Sequence, residues 1–227
     1  MNGLSVIILS KRSSNLIPCI KSIRKCESVE ASHVIVVDDG VDWVGSSFVS
    51  QIQTEGNNLH CVPGQKPFIF ARNCNLGIVA AGNDDVVLLN DDALLQTSEG
   101  FTQLQKLAED HPEYGMIAPV TNVTGQPLQK PHGVGLREVQ HIAFVCVYVP
   151  RRTLNTVGLL DERFVTYGWD DRDYCKRVKD AGLKIGVYDF CFVDHASLTS
   201  TFRGNPHAAG NIEDGRKIFE AKWGVTA

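Results

Sequence analysis

Residues 85–92 read Asp85-Val86-Val87-Leu88-Leu89-Asn90-Asp91-Asp92. An unbroken apolar run, Val86 to Leu89, meets an amide and two adjacent carboxylates. Continuous Val/Leu runs of this kind form strands buried on both faces, and such strands belong to parallel sheets covered by helices. The acids have two readings. Asp91 and Asp92 are turn or helix-capping residues, since Ser98 and Glu99 follow shortly. Alternatively they offer oxygen ligands to a hard divalent cation, Mg²⁺ or Mn²⁺. On these residues alone the two readings fit equally.

The same pattern recurs upstream. Leu4–Leu9 and His33–Val37 are predicted strands, and Leu59–Val62 is a third, shorter one. Helices are predicted between them: one holding Leu16, Ile17, Ile20 and Ile23, capped by Ser13, Ser14 or Asn15 with Pro18 in its first turn, and a weaker one over 44–53. The stretch 68–82 is helical and closes at Gly82. A further amphipathic helix begins at Gly100 and stops at Pro112. This alternation predicts an α/β fold with a mostly parallel sheet and right-handed crossovers. Ligands of such sheets bind at the carboxyl ends of the strands. Three strands end in polar residues: Leu9 into Ser10-Lys11-Arg12, Val37 into Asp38-Asp39, and Leu89 into Asn90-Asp91-Asp92. The topology puts these ends on one rim.

Beyond residue 120 the pattern changes. Residues 121–141 are rich in Gly, Pro and polar groups and read as a long loop. A strand at 142–150 follows, then a short helix and turn at 151–164. A helix begins at Asp170 and ends at Gly182. Residues 184–195 form one strand or a pair, and a last helix closes the chain from about Gly210.

Bulk properties narrow the class. The 227 residues suit one large domain or two small ones, and 43% apolar with 21% charged residues is a globular balance. A net charge of -4 gives no support for bulk attraction to nucleic acid or anionic lipid. None of the seven cysteines forms a Cys-x-x-Cys pair, so they read as reduced, small apolar residues of a cytoplasmic protein. The apolar run before Lys11 is too short for a signal peptide or a membrane span.

Several other residues offer chemistry. Asp38-Asp39-Gly40 is a good turn, or a carboxylate that accepts hydrogen bonds from a base or ribose. Asp170, Asp171 and Asp173 sit where a helix dipole favours anions, but the aromatic lead-in Tyr167-Gly168-Trp169 places them beside a flat apolar surface. A carboxylate there can serve as general base toward a hydroxyl. His195 follows an apolar strand and is a structural histidine or a ligand. Arg72, Lys11 and Arg12 are solvated cations or clamps for phosphate.

In order and spacing these segments resemble the family-2-like glycosyltransferases with the GT-A fold. The matching parts are residues 4–23, Val34–Gly40, the Phe70–Ile78 segment, the DxD-type stretch 86–95, the segment 158–182 and Phe192–His195. The resemblance covers most of residues 4–195. It implies a single GT-A domain over 1–227, with a nucleotide-sugar-binding half at about 1–120 and an acceptor-binding, catalytic half at about 121–227. Asp39, with Asp38 beside it, would contact the nucleotide base, and Ser10, Lys11 and Arg12 would line the same pocket. Arg72 would lie near the diphosphate and Asp91 near the donor ribose or sugar. Asp92 would hold Mn²⁺ or Mg²⁺, with His195 as second protein ligand. Asp171 would be the general base, Asp170 would bind hydroxyls beside it, and Trp169 would floor the acceptor site.

Two positions depart from the family pattern: Asn90 is an amide where a first acid is usual, and Asp170 stands where Glu is common. The expected activity is sugar transfer from a nucleotide-sugar, a UDP-sugar first, to an acceptor hydroxyl. Single displacement with inversion is expected, because no residue stands out as a covalent sugar carrier. The Gly- and Ser/Thr-rich segment 197–211 is expected to close over the donor, with Arg203 on phosphate. A nucleotidyltransferase is disfavoured, since residues 10–16 lack the glycines of its phosphate loop. A non-catalytic nucleotide-sugar-binding module is the other alternative. Glycan, protein, metabolite and modified nucleic-acid base all stay open as acceptor, and the oligomeric state is not legible.

Overall fold

The computed structural model of the chain describes residues 2–28, 32–41, 58–166, 168–200 and 208–226. The helix expected over 44–53, Tyr167 and residues 201–207 of the segment expected to close over the donor, Arg203 among them, lie outside the described residues.

The first half follows the predicted alternation. Strand β1 (Leu4–Ser10) leads to α1 (Ser13–Cys26), β2 (His33–Asp38), β3 (Leu59–Pro63), α2 (Phe70–Ala80) and β4 (Asp85–Asn90). Then come β5 (Leu94–Leu95), α3 (Gly100–Asp110), β6 (Tyr114–Thr121), β7 (Leu136–Val139), β8 (Cys146–Val149), α4 (Arg151–Val157), α5 (Asp170–Asp180), β9 (Lys184–Asp194) and α6 (Ala208–Trp223). Among the described residues nine strands share one sheet, in the order β3-β2-β1-β4-β8-β6-β9-β5, with β7 paired to β9. The expected mostly parallel sheet is present. Pairs β1–β2, β1–β4, β2–β3 and β6–β9 are parallel, while β8, β5 and β7 contribute the antiparallel pairs.

Side-chain alternation along β1 explains the layers. Val6 and Ile8 pack with Leu16 and Ile20 of α1 and with Phe101 and Leu104 of α3. Ile7 faces the other way, toward Ile78 of α2 and the cluster that holds Tyr174 and Val178 of α5. Burial on both faces is what the continuous apolar runs required.

Three expectations need correction. The helix after β1 starts at Ser13 with Arg12 at its cap and no side-chain cap bond. Asn15 therefore does not cap it, and Pro18 lies inside the helix rather than in its first turn. The 121–141 stretch is not all loop, because β7 pairs along β9 and a 3-10 turn spans Pro127–Gln129. The strand expected over 142–150 is only Cys146–Val149. Ile142, Phe144 and Val145 are buried but the stretch is irregular.

Candidate active site

Register aligns the strand ends. Ser10 pairs with Asp38 across β1 and β2, and Leu9 pairs with Asn90 across β1 and β4. From β1 the chain winds outward through β2 and β3, then returns to place β4 on the opposite side of β1. That reversal opens a crevice at the carboxyl ends of β1 and β4, where doubly wound sheets bind ligands.

Ser10 and Asp91 meet there. The Ser10 hydroxyl donates to Asp91 Oδ2 at 2.6 Å. The Asn15 amide approaches Asp91 Oδ1 at 3.5 Å and donates to the Thr199 carbonyl at 3.0 Å. Asn15 thus ties the segment after β9 to the strand rim. Burial raises the Asp91 carboxyl above the usual range; the Ser10 bond opposes this and the neighbouring Asp92 charge adds to it.

Asp92 turns to a different partner. Its Oδ1 lies 3.1 Å from His195 Nε2, and both side chains are nearly buried, 6% and 12% exposed. The other imidazole nitrogen, Nδ1, lies 2.7 Å from the Val123 carbonyl. A carbonyl only accepts, so Nδ1 carries a proton and Nε2 is turned to the carboxylate. Two species satisfy that contact: an imidazolium donating to Asp92, or a neutral imidazole sharing a cation with it. Fixing one ring nitrogen on a carbonyl is the usual way to orient a metal-binding histidine. The Asn122 side chain adds a second restraint by accepting the His195 backbone N–H at 2.9 Å. One nitrogen and one oxygen ligand suit Mn²⁺ or Mg²⁺ when substrate phosphates supply further oxygens. No group of three or more His, Cys, Asp and Glu able to hold a metal alone occurs among the described residues.

A second cluster on the rim is built around Asp39. Its backbone N–H donates to the Ser10 carbonyl at 2.8 Å, and its buried carboxylate pairs with Lys66 Nζ at 2.5 Å. Lys66 also donates to the Asp39 carbonyl at 2.6 Å. Asp38 closes the turn instead, accepting the N–H groups of Gly40 and Val41 at 2.8 and 2.7 Å. Lys11 is exposed and Arg12 half-buried. Arg72, near the start of α2, donates to the Pro67 carbonyl of the Lys66 loop.

The acids of α5 divide their roles. Gly168 (φ +91°) and Trp169 (φ +73°) hold left-handed backbone, and for Trp169 that is a strained state of the kind found at functional sites. The Trp169 ring leans on Phe219 of α6, centroids 5.2 Å apart, and carries the Arg172 guanidinium at 4.8 Å. Helix α6 comes close because Gly215 has no side chain: a Cβ there would lie 2.5 Å from the Gly168 carbonyl oxygen. Asp173 is structural. Fully buried, it binds Arg177 at 3.0 Å, Lys222 at 2.6 Å and the Trp223 indole at 2.9 Å.

Asp170 and Asp171 stand apart from that cluster. Burial raises both carboxyls, and the Asp171 charge raises Asp170 further. Asp171 is opposed by the backbone N–H and guanidinium of Arg172 and by the N–H of Phe144. The carboxylate of Asp171 is therefore the one that keeps its charge more readily, and it is half-buried where Asp170 is buried. The same irregular turn reaches β4, since Val145 accepts the Asn90 N–H at 2.9 Å. Phe144–Val145 thus links Asp171 to the end of β4.

Sequence reasoning missed Asn15, Lys66, Asn122 and the Phe144–Val145 turn. A basic residue in the loop before α2 was the only readable signal among them.

Known structures share this architecture. A crystal structure of GalNAc-T7 with UDP, GalNAc and Mn²⁺ superposes with a TM-score of 0.77 at 11% identity, covering 96% of this chain and 48% of that one. S. aureus TarS gives 0.69 at 13% identity, covering 97% of this chain and 39% of that one. This chain thus spans about half or less of either structure, and at such identity the likeness shows the fold, which is GT-A. No curated protein matches the chain. Residues 5–154 match the model of glycosyl transferase family 2, and the chain belongs to that family. Asp170, Asp171 and His195 lie beyond the matched residues.

No helix among the described residues is long and apolar enough to cross a membrane.

Proposed function

We propose that this chain is a metal-dependent glycosyltransferase that moves a sugar from a UDP-sugar to an acceptor hydroxyl with inversion. The observation that carries the reading is the Asp92–His195 pair, oriented by the Val123 carbonyl at the switch point of the sheet. Asp92 and His195 would hold Mn²⁺ or Mg²⁺. When bound, the cation supplies neutralisation of the charge that grows on the diphosphate leaving group. GalNAc-T7, similar in fold, was crystallised with UDP and Mn²⁺, which favours the same donor class here.

The protein's own groups do the rest. Asp39, held by Lys66, faces the nucleotide, while Ser10 fixes Asp91 for the donor sugar or ribose. Arg12 and Arg72 add positive charge along the diphosphate side, with exposed Lys11 at its edge. Asp171 accepts the proton of the acceptor hydroxyl as that oxygen bonds to the anomeric carbon, and the bond from that carbon to the diphosphate oxygen breaks. Attack opposite the leaving group inverts the centre. Asp170, whose carboxyl is raised by burial, would bind hydroxyls beside the base. Trp169 borders the acceptor site with its ring set by Phe219, and Ala196–Ser200, tied at Thr199, would lie on the donor side.

A panel of nucleotide-sugars with and without Mn²⁺, read by thermal shift, tests this. The true donor raises the melting temperature only with metal, by mass action, and Mn²⁺-dependent donor hydrolysis disappears in Asp92→Ala. No stabilisation by any nucleotide-sugar contradicts the reading.

A further inference from the structure

The chain is acidic overall, yet the surface next to Asp171 is basic. A cleft of about 220 Å³ opens between α5, the segment before β8 and Phe219 of α6, lined by Gln140, His141, Arg172, Cys175, Lys176 and Lys179 and also by the acid Asp180. Residues 172, 175, 176 and 179 follow helical spacing i, i+3, i+4, i+7 and form one face. This face starts at the residue after Asp171 and runs away from the catalytic end of the helix.

The charges on it are unequally used. Lys176 is neutralised by Asp180 at 2.9 Å and lies over the Trp223 ring. Arg172 rests on Trp169, and Lys179 donates to the Gln140 side-chain oxygen at 3.2 Å. Neither Arg172 nor Lys179 has an ion-pair partner among the described residues. Burial lowers the His141 pKa, and the Arg172 and Lys179 charges lower it further, so both cations project their field into the cleft. They stand about 10 Å apart along the helix axis.

We infer that this cleft is an acceptor subsite for an oxyanion: the glycan or other acceptor whose hydroxyl reaches Asp171 carries a phosphate or carboxylate that Arg172 and Lys179 bind. The Arg172 fork suits two oxygens of such a group, and Lys179 adds a point charge further along. This assignment rests on the transferase reading of Asp92 and Asp171.

Binding of three small probes tests it: glucose 6-phosphate, methyl β-glucuronide and neutral methyl β-glucoside, each titrated into the full chain by NMR chemical-shift mapping with UDP and Mn²⁺ present. The two acidic sugars are expected to shift the Arg172 and Lys179 signals and to bind at least tenfold more tightly than the neutral one. Arg172→Gln with Lys179→Gln, and Lys179→Gln alone in case the double variant is unstable, should lose that preference. Phosphate over glucuronide, or the reverse, names the oxyanion. Equal binding of acidic and neutral sugars, or a preference that survives both variants, overturns the inference. Donor hydrolysis by the unaltered chain is measured in parallel. Turnover without an acidic preference overturns the subsite and leaves the transferase reading standing, whereas an acidic preference without turnover overturns the acceptor assignment.

Discussion

The His195 imidazole reaches Asp92 at 3.1 Å while its opposite nitrogen is committed to the Val123 carbonyl at 2.7 Å. These residues lie 103 positions apart in the chain, one at the end of β4 and the other after β9. Bringing them together takes the whole sheet, so the pair depends on the fold as much as on local sequence. It turns an ambiguous pair of carboxylates into a candidate ligand set.

Asp171 should behave as the base. Asp171→Asn is expected to lower kcat by about 10²–10⁴ with little change in donor KM. Because burial raises its pKa, activity of the unaltered chain should rise with pH along an acid limb above the ordinary carboxylate range. That limb should vanish in the variant. Retained turnover in Asp171→Asn, or a limb near pH 4, contradicts the role.

Asp170 should trade stability for function. Its folded pKa is raised over an unfolded value of about 3.9. The folded chain therefore holds this proton more tightly than the unfolded chain. The stability it contributes is complete below the unfolded pKa and is lost as pH rises through the folded one. Asp170→Asn should leave the melting temperature nearly unchanged at pH 4 and raise it at pH 8, with activity reduced. A destabilised variant at pH 8 argues that the ionised carboxylate is the structural form.

Asp173 should be structural. Asp173→Asn leaves Arg177 without its buried counter-charge and Lys222 with Asp161 alone, at 2.7 Å, which costs about 3–5 kcal/mol, read from the midpoint of chemical denaturation. A loss below about 1 kcal/mol, the scale of an exposed ion pair, means that the Lys222–Trp223 end of α6 is not held this way.

Asn15 should couple the covering segment to the donor site. Asn15→Ala removes its bonds to the Thr199 carbonyl and Asp91. Losing a hydrogen bond to a charged group is worth roughly tenfold or more, so the KM for nucleotide-sugar should rise by about that factor with kcat less affected. An unchanged KM separates Asn15 from donor binding.

The strands that build the rim were legible because Val, Ile and Leu leave no other reading when they run unbroken. Asp92 and His195 could be picked out because they follow apolar runs, and Asp171 because it starts a helix behind the aromatic lead-in Tyr167-Gly168-Trp169. The partners that give them meaning were not. Val123 and Phe144 act through backbone atoms, which carry no residue signature. Asn15 looked like a cap, and only the β1–β4 crevice shows that its amide reaches Asp91 and Thr199. Strand β6 contains Gly115 and Pro119, which break the apolar pattern, and β7 hides among glycines and prolines. Asp38 shows the reverse: its turn reading and its ligand reading competed, and its Oδ1 closes the turn.

The central claim is that Asp92 and His195 hold a divalent cation together with a nucleotide diphosphate. Electron paramagnetic resonance titration of Mn²⁺ with UDP present measures this directly. The unaltered chain should remove free Mn²⁺ signal at a stoichiometry of about one, weakly without UDP and tightly with it. Asp92→Ala and His195→Ala should each weaken the UDP-dependent binding by about tenfold or more. Mn²⁺ binding that ignores UDP, or that is unchanged in both variants, contradicts the account.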